Sequence, residues 1–206
     1  MTRTLVVVSA GLSQPSSTRL LADRLAEATT RELGEAVGVR PVELRELAVD
    51  IANNLVTGFP SAALAEVLAD VVRSDGLIAV TPVFTASYSG LFKSFFDVID
   101  NTALTGKPVL IAATGGTARH SMVLDHALRP LFAYLRATVL TTGVYAASED
   151  WGDGHEELSP RIARAGRELA AAIRSRPRSA PPVPEFSPDA VVPFAQQLAE
   201  LGIDPA

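Results

Sequence analysis

Cysteine is absent from this chain of 206 residues, which excludes disulfides, thiolate metal sites and cysteine nucleophiles. Histidine is scarce: three residues, at 120, 126 and 155, without HExxH-type spacing, so no catalytic metal is expected. The 18 Lys and Arg residues form no cluster and are outnumbered by 23 Asp and Glu. A formal charge of −5 and a pI near 5.2 argue against a nucleic-acid surface, which needs a basic patch. The apolar run near the N-terminus, LVVV, is too short for a signal h-region or a membrane span, and the reading places the protein in the cytoplasm, away from membranes. GxSxG, GxxxxGK and GxGxxG are also missing, which disfavours a hydrolase nucleophile elbow, a P-loop and a Rossmann dinucleotide site.

What is present is an ordinary globular balance, 48% hydrophobic and 20% charged, able to fill one sizeable core. Short apolar runs alternate with amphipathic stretches. TLVVV at 4–8, a run at 39–44, GLIAV at 76–80, PVLIAA at 108–113 and a run at 139–145 broken by Thr141, Thr142 and Gly143 read as buried strands. Helices are predicted over 18–33, 61–73, from Leu91 onward, 121–135 and 156–174, while 45–59 reads as irregular or partly helical. Leu20, Leu21, Leu25 and Ala28 mark the inner side of the first helix, and Leu158, Ile162, Ala165, Leu169 and Ile173 that of the last. Alternation of this kind implies βαβ units and a doubly wound parallel sheet of five strands, in the order 2-1-3-4-5, with helices on both faces. The expected domain covers 1–176. From 177 to 206 the composition turns rich in proline and serine and predicts an arm, closed by a short amphipathic stretch whose Phe194, Leu198 and Leu201 need an apolar surface.

In such sheets ligands sit beyond the carboxyl ends of the strands, where three loops of small residues follow strands one, three and four. The first carries Ser9, Ser13, Ser16, Ser17 and Thr18 into a helix; hydroxyls and free N–H groups at a helix N-terminus suit a phosphate, and equally suit plain N-capping by Ser16 or Ser17. In the second, TPVFTASYSGLFKSFFD at 81–97, Pro82 is expected to end the strand, and Thr85, Ala86, Ser87 and Ser89 leave the main chain open to a flat ligand. Leu91, Phe92, Phe95 and Phe96 follow as the core face of a helix. The third reads ATGGTARHS: Gly115 and Gly116 permit close approach, Thr114 and Thr117 add hydroxyls, and His120 is read as lying over a flat ring, capping the helix or facing solvent. A phosphate cradle beside two planar surfaces suits flavin mononucleotide, which brings its own redox chemistry, so no side chain is assigned as acid, base or nucleophile.

These residues resemble the NAD(P)H-dependent FMN reductases of the flavodoxin-like superfamily, especially the two-component reductases of sulfonate utilisation that supply reduced flavin to luciferase-like monooxygenases. TPVFTASYSGLFKSFFD is similar to that family's TPxYxxSYxGxLKxxxD, and TGGTARHSMVLDHALRPLFAYLRA to its TGGxxxHxxxxDxxLRPxxxxLxA. The resemblance covers about residues 3–175. It implies FMN phosphate binding by Ser9, Ser16, Ser17 and Thr18, and contact of the ring and ribityl with Pro82, Val83, Phe84, Thr85, Ala86 and Ser87 on one side and Thr114, Gly115 and Gly116 on the other. Phe84 stands where the family has Tyr. His126 falls at a subunit-interface position, and a homodimer or homotetramer is implied. NADPH or NADH is the implied hydride donor, with Arg19, Arg119 and Lys93 as candidates for the 2′-phosphate. The competing readings are a reductase with tightly held FMN acting on quinones, azo dyes or metal ions, and a flavodoxin-like electron carrier.

Overall fold

The computed structural model describes residues 2–34, 36–151 and 158–176. The arm at 177–206, His155 and the first two residues of the expected last helix lie outside the described residues. Seven strands form: β1 (Arg3–Ser9), β2 (Val37–Glu43), β3 (Gly76–Phe84), β4 (Ser87–Tyr88), β5 (Pro108–Gly115), β6 (Thr138–Val139) and β7 (Val144–Ala147). The parallel path runs β2-β1-β3-β5-β6; β7 also pairs β5 in parallel, and β4 folds back antiparallel onto β3. Among the described residues six α-helices accompany them: α1 (Ser17–Leu33), α2 (Ala48–Thr57), α3 (Ala62–Arg73), α4 (Gly90–Asp97), α5 (Arg129–Tyr134) and α6 (Leu158–Ser175).

Successive strand residues point to opposite faces, so continuous apolar strands feed two cores. Leu5, Val7, Ile78, Val80, Leu110 and Ala112 pack with Leu21 and Leu25 of α1 and with Ile162, Leu169 and Ile173 of α6. Their neighbours Val6, Val8, Leu77, Ala79, Val109 and Ile111 pack on the other face with α3, α4 and α5. There Phe92, Phe95, Phe96 and Phe132 interlock, with ring centroids 4.8 Å apart for Phe92–Phe96 and for Phe96–Phe132. Each such buried ring contributes on the order of 2–3 kcal/mol, and this cluster seats α4 directly behind the second loop.

The α/β class with a helix-covered parallel sheet is as expected, but the strand count is seven rather than five. The fifth position is divided into β6 and β7 across Leu140–Gly143, and β4 is an added two-residue return. Pro82 does not end its strand: β3 continues to Phe84, with Pro82 opposite Thr114. The Val80 carbonyl points at Ala10, on the β1 side, so Pro82, two residues on, presents its missing N–H to the same side, beyond the last paired residue of β1, where no ladder bond is lost.

The segment 45–59 is more regular than expected, a 3₁₀ turn at Leu44–Leu47 leading into α2. Helix 121–135 is in turn less regular. A π-helical turn at Leu124–Leu128 precedes α5, because Pro130 has no N–H to donate to the carbonyl four residues back, and the Arg129 N–H reaches five back to Leu124. Leu20, expected inside, is 43% exposed, while Leu21, Leu25 and Ala28 are buried. Among the described residues no single helix is long and apolar enough to cross a membrane.

Candidate active site

A cleft of ≈ 440 Å³ lies past the carboxyl ends of β1, β3 and β5. Size does not single it out, since a hollow of ≈ 510 Å³ lies between α4 and α5; position at the switch point of the sheet does. Gly11, Leu12, Ser13, Ser17 and Thr18 line it from the first loop, Pro82, Val83 and Phe84 from β3, and Thr114, Gly115 and Gly116 from β5. Ser148 and Trp151 complete it from the turn after β7. Among the described residues no charged side chain is in this lining.

The first loop is built so that the N-terminus of α1 faces the cleft. Ser16 is the N-cap, its hydroxyl accepting from the Arg19 N–H at 3.2 Å. Gly11 allows the chain to pass against that cap, since a Cβ there would sit 2.0 Å from the Ser16 hydroxyl oxygen. Ser17 and Thr18 follow as the first helical residues, where free amide groups and the helix dipole favour an anion. Arg19 is committed elsewhere, to Asp23 at 2.8 Å and Glu43 at 2.6 Å, and the hydrogen bond it donates to Asp23 leads in raising its pKa.

At the end of β3, buried Thr81 accepts from the Ser89 N–H at 3.0 Å, and Ser89 caps α4 through the Phe92 N–H at 3.2 Å. Between β3 and β4 the chain turns through Thr85 (φ 49°) and Ala86 (φ 64°), both left-handed and neither glycine. A turn of this kind favours Asn-Gly, so Thr-Ala stores strain of about 1–2 kcal/mol per residue at the mouth of the cleft.

The third loop is anchored from below. Tyr145 of β7, 3% exposed, donates its phenol to the Thr117 carbonyl at 2.7 Å, and a Cβ on Gly115 would lie 2.1 Å from that oxygen. Burial, reinforced by Asp150, raises the phenol pKa and keeps it a donor. Thr114 reaches across to α1, its hydroxyl 2.8 Å from that of Thr18.

The structure therefore brings Ser17, Thr18, Pro82, Val83, Phe84, Thr114, Gly115 and Gly116 into one cleft. Ser9 is buried in β1 and Ser16 is turned to its capping bond, while Thr85, Ala86 and Ser87 sit on the rim turn outside the lining. His120 is exposed on a 3₁₀ turn and His126 is exposed on the π turn; neither lines the cleft. Leu12, Ser148, Trp151 and the anchor Tyr145 were not singled out from sequence. Only tertiary folding returns β7 to the side of β5, and no local pattern marks that turn.

Amides and hydroxyls at one end, with an apolar body and small-residue loops beyond, match a phosphorylated planar molecule in chemistry, and among the described residues no lining carboxylate opposes a phosphate. The sequence profile of the family described as NADPH-dependent FMN reductase matches residues 3–152, and the chain belongs to that family. It is 40% identical over 176 residues to the FMN reductase (NADPH) of Pseudomonas aeruginosa, covering 83% of this chain and 92% of that protein. It is 41% identical over 150 residues to the NADH-dependent FMN reductase SfnE of Pseudomonas putida, covering 72% and 78%. The crystal structure of an oxidoreductase from Corynebacterium diphtheriae superposes with a TM-score of 0.83 at 52% identity, over 85% of this chain and 99% of that one.

Proposed function

We propose that this member of the NADPH-dependent FMN reductase family moves a hydride from the nicotinamide C4 of NADPH or NADH to N5 of FMN seated in the cleft, and that reduced FMN leaves for a partner monooxygenase. The observation that carries the reading is the uncharged cleft with the N-terminus of α1 at one end. Flavin supplies the two-electron chemistry when bound. The chain's share is to bind, orient and release. Ser17 and Thr18 take the phosphate; Pro82, Val83 and Phe84 and Thr114 to Gly116 flank the ring and ribityl. Phe84, 47% exposed, presents a face at the mouth where nicotinamide must stack.

Release is supported by a lining that, among the described residues, offers the phosphate amides and hydroxyls rather than a cation, which suits modest affinity. The reading includes the cytoplasm as the place of action, and a homodimer or homotetramer. Assembly of copies is supported by the outward side of α2 and its exit, where Val49, Val56 and Phe59 are 73%, 88% and 81% exposed.

The test is anaerobic NADPH and NADH oxidation by flavin-free protein while FMN is titrated. Saturable turnover with reduced FMN recovered in the small-molecule filtrate supports a flavin-releasing reductase. One stoichiometric reduction that resumes only on adding a quinone shows a bound-flavin reductase and removes the monooxygenase from the scheme.

A further inference from the structure

The first loop meets the end of β2 as well as α1. Glu43, the last residue of β2, lies in register with Ser9, from which that loop departs. Its carboxylate takes two arginines, Arg19 of α1 at 2.6 Å on one oxygen and Arg45 at 3.1 Å on the other. Arg45 uses its Nε for that bond and turns its other nitrogens to the loop. There the Gln14 carboxamide oxygen accepts from both η nitrogens, one of them at 2.8 Å. The Arg45 and Glu43 side chains are 21% and 23% exposed, so this tie is sheltered although the loop tip is not.

Leu12, Ser13 and Gln14 are exposed at that tip and draw little hold from the core. Yet Ser13 lines the cleft immediately before Gln14, and Ser17 lines it three residues after. Donors on a loop serve a ligand only when their directions are fixed beforehand. A guanidinium suits that task, because its planar fork bonds a carboxylate with one edge and a carbonyl oxygen with another, and such charge-assisted bonds are the stronger kind. Arg45 does not line the cleft and its charge is met by Glu43, so what it gives the ligand is geometry rather than a cation.

We propose that Arg45, held by Glu43, is a positioning residue of this reductase: through Gln14 it fixes the first loop in the shape that receives the flavin phosphate. This rests on the flavin-reductase reading, in which the phosphate lies at that loop. Loosening the loop weakens the hold on the phosphate and leaves the ring end, built on β3 and β5, unaltered. The consequence falls on one part of the ligand.

The experiment titrates FMN and riboflavin, which has no phosphate, into the flavin-free full chain by flavin fluorescence, and measures kcat for NADPH oxidation at saturating FMN. The unaltered protein is compared with R45A, R45K, Q14A and the R45A/Q14A double variant. R45A is expected to raise the FMN dissociation constant roughly 10-fold, the effect of losing one charge-assisted hydrogen bond, with the riboflavin constant and kcat unchanged. R45K keeps the charge without the fork and is expected to fall between, at about 3-fold. Q14A alters an exposed side chain and keeps the fold; it is expected to match R45A, and the double variant to add nothing further, since each removes the same contact. Three results overturn the proposal while leaving the reductase reading intact: an FMN constant unmoved in R45A, equal weakening of both flavins in R45A, or a raised FMN constant in R45A beside an unchanged one in Q14A, which would show Arg45 acting on the phosphate directly. If the unaltered protein neither binds FMN nor oxidises NADPH with it, the reductase reading has failed and the proposal falls with it.

Discussion

The Thr18 hydroxyl lies 2.8 Å from the Thr114 hydroxyl, with both residues almost fully buried, so the first turn of α1 is bonded directly to the end of β5. These two residues sit more than ninety positions apart and were assigned to opposite ends of the ligand. Their contact lies within the cleft lining and sets the distance between the first turn of α1 and the end of β5.

Removing one partner strands the other hydroxyl in a buried site. Thr18→Val and Thr114→Val are each expected to cost about 1–3 kcal/mol in urea unfolding. The double variant is expected to cost less than the sum, because it leaves no orphaned hydroxyl. Additive losses would show that the bond does not hold the two elements together.

The strained turn at Thr85 and Ala86 predicts a stability gain from residues suited to positive φ. Ala86→Gly is expected to raise stability by about 1 kcal/mol, relief of left-handed strain outweighing the added freedom of glycine in the unfolded chain. Thr85→Asn is expected to act in the same direction, since a β-branched residue there is the less tolerable of the two. Urea midpoints at constant slope provide the measurement, and a fall in midpoint would refute the strain.

Tyr145 and Gly115 predict a rescue. Gly115→Ala places a Cβ 2.1 Å from the Tyr145 oxygen and is expected to weaken FMN binding and stability together. Tyr145→Phe removes that oxygen along with its bond to Thr117, so alone it is expected to raise the FMN dissociation constant several-fold. In the double variant Gly115→Ala is expected to do less damage than in the unaltered background, as flavin fluorescence titration would report.

Lys107 predicts a pH dependence. It is 2% exposed and its ammonium donates to the carbonyls of Val72 (3.2 Å) and Ser74 at the end of α3. Burial first, then repulsion by Arg176, lowers its pKa from 10.5 to about 8, with Asp75 opposing. Between about pH 8 and 10.5 the unfolded chain therefore holds a proton on this residue that the folded chain has lost, so stability rises with pH through that window. Below it the charged lysine is carried at a cost in the folded state. Unfolding free energy of the unaltered chain relative to Lys107→Met is expected to shift in favour of lysine from pH 8 to 10.5; a flat or falling difference would contradict the buried-amine account.

Much of the architecture was legible because it follows from local pattern. Apolar runs of β-rich residues marked the parallel strands, and the spacing of Phe92, Phe95 and Phe96 marked a buried helix face. The small-residue loops after β1, β3 and β5 were legible for the same reason, because a right-handed parallel sheet delivers all three to one edge. Departures came where a long-range circumstance outweighed a local rule. Pro82 continues its strand because β1 has already left that side. Leu20 faces out because the inner arc of α1 is already filled by Leu21 and Leu25.

The sequence by itself determined the α/β class, the placement of eight cleft-lining residues at one edge, and membership of the reductase family, because each is set by residue type at short spacing. Only the tertiary structure decided that Thr18 meets Thr114, that Tyr145 supports the glycine loop and that Trp151 joins the cleft lining. Those three relationships join residues from elements distant along the chain. Their contacts depend on how close α1, β5 and β7 are drawn by the packing of two cores, and no periodicity within any one of those segments encodes that distance.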